Sequence, residues 1–148
     1  MERSEWSAGP WDDETIDKAV WVDSVTGLDC MLHRGPTGGW CGYVGVKKSH
    51  KLHGCSYNDC CLDAHGGLTF SSGCSGMSED GRGICHPSDD EDHVWWLGFD
   101  AGHSGDITPH QRYQEFVELG DTYKTQTYMQ NQVTNLAKQI SEEPECHE

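Results

Sequence analysis

The sequence predicts a small α+β domain: a mainly antiparallel sheet, rich in loops, with C-terminal helices packed on one face. Three observations carry this expectation. Residues 94–99 form a short aromatic apolar run bounded by turn-forming residues, the mark of a buried strand. Met129, Val133, Leu136, Ala137 and Ile140 recur at the three- and four-residue spacings of one helical face. The chain has 18 glycines in 148 residues and only 34% hydrophobic residues, so its core leans on six tryptophans joined by loops.

The elements follow in order. Residues 1–27 read as an acidic N-terminal arm, docked to the body through Trp6 and Trp11. Within it, 16–25 fits a short helical turn or a strand, because the apolar stretch is too short to separate the two. Residues 28–141 form the single α+β domain. Strands are expected at 30–34 and 40–46, separated by Gly35-Pro36-Thr37-Gly38-Gly39. Gly42 and Gly45 in the second of these suggest close backbone approach or a bulge. A basic, histidine-bearing loop covers 47–58, and short strand pieces are expected at 60–65 and 68–70. A Ser/Gly/Asp-rich loop spans 71–92, and the central strand follows. Thr108 and Pro109 start a helix that runs to Leu119 and stops at Gly120; Asp121 caps a second helix over 121–141. Residues 142–148 are a frayed acidic tail.

A formal net charge of −15 argues against nucleic acid and against an anionic membrane surface, both of which call for clustered Lys and Arg. It suits a basic protein partner or a cation. The first residues are polar, with no apolar run behind them, and no stretch approaches the ~20 apolar residues of a membrane helix. The expected location is the cytoplasm, where the eight cysteines would be reduced thiols or metal ligands.

The chemistry concentrates where the central strand ends. Asp100, His103 and Asp106 follow it at three-residue intervals among glycines, on a loop that a rigid strand can aim. His65 precedes Gly66-Gly67 at another expected strand end. If the two strands are neighbours, two imidazoles and two carboxylates converge. His65, Asp100 and His103 then suit a divalent ion (Zn²⁺, Mn²⁺ or Fe²⁺) with a position open for water, and Asp106 suits a general base. Such an ion lowers the pKa of bound water to roughly 7. The plainer alternative is that the carboxylates close turns and the histidines are hydrogen-bonded at strand ends.

Three blocks carry a resemblance: Trp40-Cys41-Gly42-Tyr43-Val44-Gly45-Val46, His65-Gly66-Gly67-Leu68-Thr69-Phe70, and Trp95-Trp96-Leu97-Gly98-Phe99-Asp100 with His103, Gly105 and Asp106. Together they resemble a family of small uncharacterised proteins carried by phages, prophages and bacteria, over roughly residues 28 to 140. The resemblance marks His50, after the first block, as a residue that orients substrate from a facing loop. Ala101 departs from the cysteine that the family often places there. The arm and the cysteines at 55, 60, 61, 74 and 85 lie outside the pattern. For a phage-encoded chain, the location implied is the host cytoplasm.

Other constellations read more weakly. His50, His53, Cys55, Cys60 and Cys61, with Cys30, His33, Cys74, Cys85 and His86, offer zinc ligands without the Cys-x-x-Cys spacing of a zinc ribbon. Buried thiols and solvated histidines are the better reading there. Cys41 with His65 is a remote nucleophile pair. Asp89-Asp90-Glu91-Asp92 lacks the spaced oxygens of a calcium loop. Two functions follow. One is a small metal-dependent hydrolase-like protein acting on a small-molecule substrate. The other is a non-catalytic acidic inhibitor that binds a basic host defence or regulatory protein.

Overall fold

The computed structural model describes residues 3–73 and 94–146. Its centre is a five-stranded antiparallel sheet of β1 (Lys18–Val22), β2 (Asp29–Arg34), β3 (Trp40–Val46), β4 (Phe70–Ser72) and β5 (Trp95–Asp100), in the order β1-β2-β3-β5-β4. A separate parallel pair joins β6 (Asp106–Ile107) to β7 (Thr122–Tyr123). The C-terminal helix α1 (Gln126–Ser141) packs on one face of the main sheet. The expected α+β fold is therefore present, with one helix on the sheet where two were expected.

Strand alternation decides which residues meet α1. Leu97 and Phe99 face it beneath the partly buried Trp95, together with Cys30, Leu32, Trp40, Val44 and Val46. Met129, Val133, Leu136, Ala137 and Ile140 answer from the helix, so the predicted apolar stripe is the packed one. Trp96 turns to the opposite face with Met31, Tyr43 and Val94. A Cβ on Gly42 would lie 2.8 Å from Val133 Cγ2 and 2.7 Å from Phe99 Cζ. Its absence brings α1 close to the sheet, as the small residue suggested.

The N-terminal segment is held by polar groups as much as by apolar ones. Trp11 is buried, edge-on to Tyr123 at 5.1 Å. The Arg34 guanidinium lies between the rings of Trp6 and Trp40, 5.1 and 4.0 Å from their centroids. Glu14 Oε1 accepts from Arg34 Nη2 (3.0 Å), Trp40 Nε1 (3.1 Å) and Tyr123 Oη, and Oε2 accepts from the Gln126 N–H (2.7 Å). Both expected anchors, Trp6 and Trp11, are in contact with the body. Lys18–Val22, inside the stretch read as the arm, is the edge strand of the sheet.

Three local expectations are corrected. The helix expected from Pro109 is a 3₁₀ segment, Gln111–Phe116, capped by His110. Backbone bonds from His110 N to Thr37 O and from Gln111 N to Glu5 O hold the chain extended where the helix would begin. The second helix starts five residues late. Asp121 closes a turn onto the Glu118 N–H, Thr122 and Tyr123 join β6, and Thr125 supplies the cap by accepting from the Tyr128 N–H at 3.1 Å. Residues 61–65 form no strand: Gln139 of α1 bonds both the N–H and the carbonyl of Asp63, taking the groups a neighbouring strand would need. The expected loop 71–92 opens with the last residues of β4, and the remainder from 74 lies outside the described residues.

Candidate functional site

The site forms where the turn after residue 64 meets the loop leaving β5. Gly66 and Gly67 take positive φ of 71° and 82°, which turns the chain sharply behind His65. A Cβ on Gly66 would lie 2.5 Å from His103 Cδ2, so only glycine lets this turn lie against the His103 ring. On the other side, Asp100 ends β5 and Asp106 begins β6, and the Asp106 N–H bonds back to the His103 carbonyl at 2.9 Å. His65, Asp100, His103 and Asp106 are thereby brought into one cluster.

Asp106 is its buried centre, with 1% of its side chain exposed. Oδ1 accepts from His65 Nε2 at 2.8 Å and from Lys124 Nζ at 3.0 Å; Oδ2 accepts from the His103 N–H at 3.0 Å. Burial pushes the Asp106 carboxyl up, but the bonds from Lys124, His103 and His65 outweigh it and hold it below the usual carboxylate range. The other nitrogen of His65, Nδ1, lies 3.0 Å from the Tyr128 hydroxyl. A carboxylate at Nε2 places the ring proton there, so Nδ1 accepts from the phenol. The result is a chain of Tyr128 Oη–H to His65 to Asp106.

Asp100 and His103 form the outer half. Asp100 accepts from the Gly102 N–H (2.9 Å) and the Thr69 hydroxyl (3.0 Å), and its Oδ1 lies 3.3 Å from His103 Nε2 without hydrogen-bond geometry. A cleft of about 260 Å³ opens beside this loop, lined among others by His103, Ser104, Asp106, Tyr113 and Glu118.

The four residues do not fit a metal shell as they stand. Both ring nitrogens of His65 are bonded, and Asp106 Oδ1 is shared by two donors. Among the described residues no three His, Cys, Asp or Glu side chains are grouped to hold an ion. The placement of His50 at the rim of this site is corrected. Its Nδ1 accepts from the Leu52 N–H (3.0 Å), and its Nε2 donates to the Ile140 carbonyl (2.9 Å). Ile140 lies twelve residues beyond Tyr128 on α1, about 18 Å along the axis at the usual helical rise. His50 caps the far end of the helix.

The expectation of reduced cysteines is corrected at one pair. Cys55 and Cys146 form a disulfide, so the tail is tied to the body through residue 146. Cys30, Cys41, Cys60 and Cys61 are free. Cys30 and His33 fall on opposite faces of β2 and cannot share an ion. Burial, with Asp100 beside it, pushes the Cys41 thiol up to about 12, and its cross-strand neighbours are His33 and Asp100 instead of His65. Cys74, Cys85, His86 and the run Asp89-Asp90-Glu91-Asp92 lie outside the described residues.

Lys124 and Tyr128 are the participants that sequence reading missed. Their one signal is position: Thr125 is a good cap, which would place Lys124 just before the first turn and Tyr128 on it. Among the described residues no helix is long and apolar enough to cross a membrane. No protein-family model, no curated protein and no solved structure matches the chain.

Proposed function

We propose that this protein is a small hydrolase-like enzyme whose acid–base centre is His65, oriented by Asp106 and coupled to Tyr128. The observation that carries the reading is the continuous pair of hydrogen bonds, 3.0 Å from Tyr128 to His65 and 2.8 Å from His65 to Asp106. Imidazole can take and return a proton near neutral pH, and a buried carboxylate fixes its tautomer and steadies the imidazolium that forms. Tyr128 is 36% exposed, so the proton delivered through this chain reaches solvent and any bound molecule at a phenol. His65 Nδ1 takes the phenolic proton as the oxygen attacks or bonds substrate, and returns it to the leaving group. A cleft of a size for a small substrate lies on the Asp106 side of this centre, lined by His103 and Asp106 and not by His65 or Tyr128.

The net charge of −15 favours a second reading, an acidic protein that binds a basic partner. One experiment separates the two. The chain, purified without a His tag and assayed in chelator, is offered a panel of small esters, amides and phosphoesters. We expect turnover of at least one class, lowered roughly 10²–10⁴-fold in His65→Gln and comparably in Tyr128→Phe. Turnover that disappears in chelator and returns with Zn²⁺ or Mn²⁺ would restore the metal reading. No turnover across the panel would leave the binding reading in its place.

A further inference from the structure

Three sulfurs gather at the far end of α1, away from the His65 site. The Cys55–Cys146 disulfide closes a span of 91 residues. Cys60 stands beside it. Its backbone bridges that of Cys146, and its Sγ lies 3.3 Å from the Cys55 Sγ. The short 3₁₀ turn Tyr57–Asp59 brings it there, with Ser56 accepting from the Asn58 N–H at the start. Cys55 is 1% exposed, so its sulfur is shielded from thiols in solution, whereas the Cys60 thiol is already in contact. Cys61 is exposed; the backbone at Cys60 is extended, and successive side chains on extended backbone point to opposite sides.

We infer that Cys55, Cys60 and Cys146 form a disulfide-exchange site in which Cys60 displaces Cys146 from Cys55. The Cys60 thiol gives up its proton and its sulfur forms a bond to Cys55 Sγ. The Cys55–Cys146 bond breaks, its electron pair leaves on Cys146 Sγ, and that sulfur takes up a proton. One disulfide and one thiol enter and one of each leave, so no oxidant or reductant is consumed. The 91-residue closure becomes a local one between residues five apart.

The exchange would free the end of the chain. Residues 142–146 would then keep the backbone bridge of Cys146 to Cys60, the bonds from the Glu142 and Glu143 N–H groups to the Gln139 and Ile140 carbonyls, and the exposed Lys51–Glu145 pair at 3.1 Å, a class of contact that contributes little. His50 still grips the Ile140 carbonyl at this end, so the loosening is confined to the residues beyond the last turn of α1. Burial pushes the Cys60 thiol up, with Asp59 and Cys61 adding to the shift, so thiolate is scarce at neutral pH and the exchange is slow there.

The test uses the full chain, purified oxidised and without reductant, incubated at mildly alkaline pH, quenched in acid, alkylated and mapped by non-reducing peptide mass spectrometry. The expected result is a growing Cys55–Cys60 linkage with a matching rise in alkylated Cys146. Cys60→Ser should keep only Cys55–Cys146, and Cys61→Ser should exchange like the native chain. A native chain that keeps Cys55–Cys146 with Cys146 unlabelled overturns the inference. So does a new linkage through Cys61, or one that persists in Cys60→Ser. Should Cys60→Ser fail to fold, the native chain and Cys61→Ser decide the matter on the same map.

Discussion

Glu14 and Asp106 both meet the start of α1, and both are carboxylates ringed by donors. Glu14 receives Arg34, Trp40, Tyr123 and the Gln126 N–H. Asp106 receives His65, Lys124 and the His103 N–H. The difference lies in the cation. Arg34 is always charged, fully buried and clamped between two indole rings, so nothing at Glu14 can exchange a proton in the working pH range. At Asp106 the partner is an imidazole, and its second nitrogen leads outward to an exposed phenol. The first hub ties the N-terminal segment, the sheet and the helix together; the second carries the proposed proton path. What separates the two is that imidazole replaces guanidinium and one link reaches solvent.

The comparison breaks most visibly at Arg34. Arg34→Ala removes the charge from a buried pair and leaves Glu14 uncompensated, which should lower stability by about 3–5 kcal/mol in urea denaturation. A loss under 1 kcal/mol would show that the Glu14 hub does not hold the fold. Leu136→Ala, at the fully buried centre of the helix stripe, should cost about 2–5 kcal/mol by the same measurement. Asp106→Asn should cost less stability, about 1–3 kcal/mol, because the amide oxygen still accepts at one position while the NH2 leaves the donors at the other, His103 N–H or His65 and Lys124, without an acceptor. The same substitution should remove most of the activity that depends on His65. Comparable stability losses at Arg34 and Asp106 would erase the distinction between the hubs.

Acid sharpens the contrast in another way. Burial raises both carboxyls, but at Glu14 the bonds from Gln126, Tyr123 and Trp40, with the Arg34 charge, outweigh it, as Lys124, His103 and His65 do at Asp106. Each folded-state pKa is therefore below its ordinary value of 4.5 or 3.8. The stability they contribute is complete above those ordinary values and is lost as pH falls through the lower folded ones. Denaturation midpoints should hold on descending to about pH 5 and fall below about pH 4. Glu14→Gln should flatten part of that fall. The smallest effect is at Gly66→Ala, expected to cost roughly 1–2 kcal/mol from its positive φ. It should also displace the turn from the His103 ring, visible as shifted His65 and His103 ring resonances.

Much of the sheet and one half of the site were legible in the sequence. The strands at 30–34, 40–46 and 94–99 announced themselves because short runs rich in apolar residues end there at turn-forming residues: Gly35-Pro36 after the first, Gly39 before the second and Asp100 after the third. Asp100, His103 and Asp106 were legible because a loop of five residues keeps them together whatever else the chain does. His65 joined them through the β5–β4 neighbourhood, which strand ends and glycines suggested. The partners were harder. Lys124 and Tyr128 reach Asp106 and His65 across 18 and 63 residues, and no local pattern marks such contacts. Asp121 looked like a helix cap as much as Thr125 does; the β6–β7 pairing that decides between them is long-range. His50 was singled out by a resemblance alone, and its ring is spent on backbone groups. Cys146 looked like part of a loose tail because its partner is 91 residues away.

The reading of this site turns on Asp106 fixing the His65 tautomer and on Nδ1 accepting from Tyr128. The direct measurement is the ¹⁵N spectrum of imidazole-labelled protein at neutral pH, native and in Asp106→Asn and Tyr128→Phe. The expected result is His65 as the Nε2–H tautomer in the native protein, a mixture of tautomers in Asp106→Asn, and a shift confined to Nδ1 in Tyr128→Phe. A native His65 carrying its proton on Nδ1, or one indifferent to both substitutions, would contradict it.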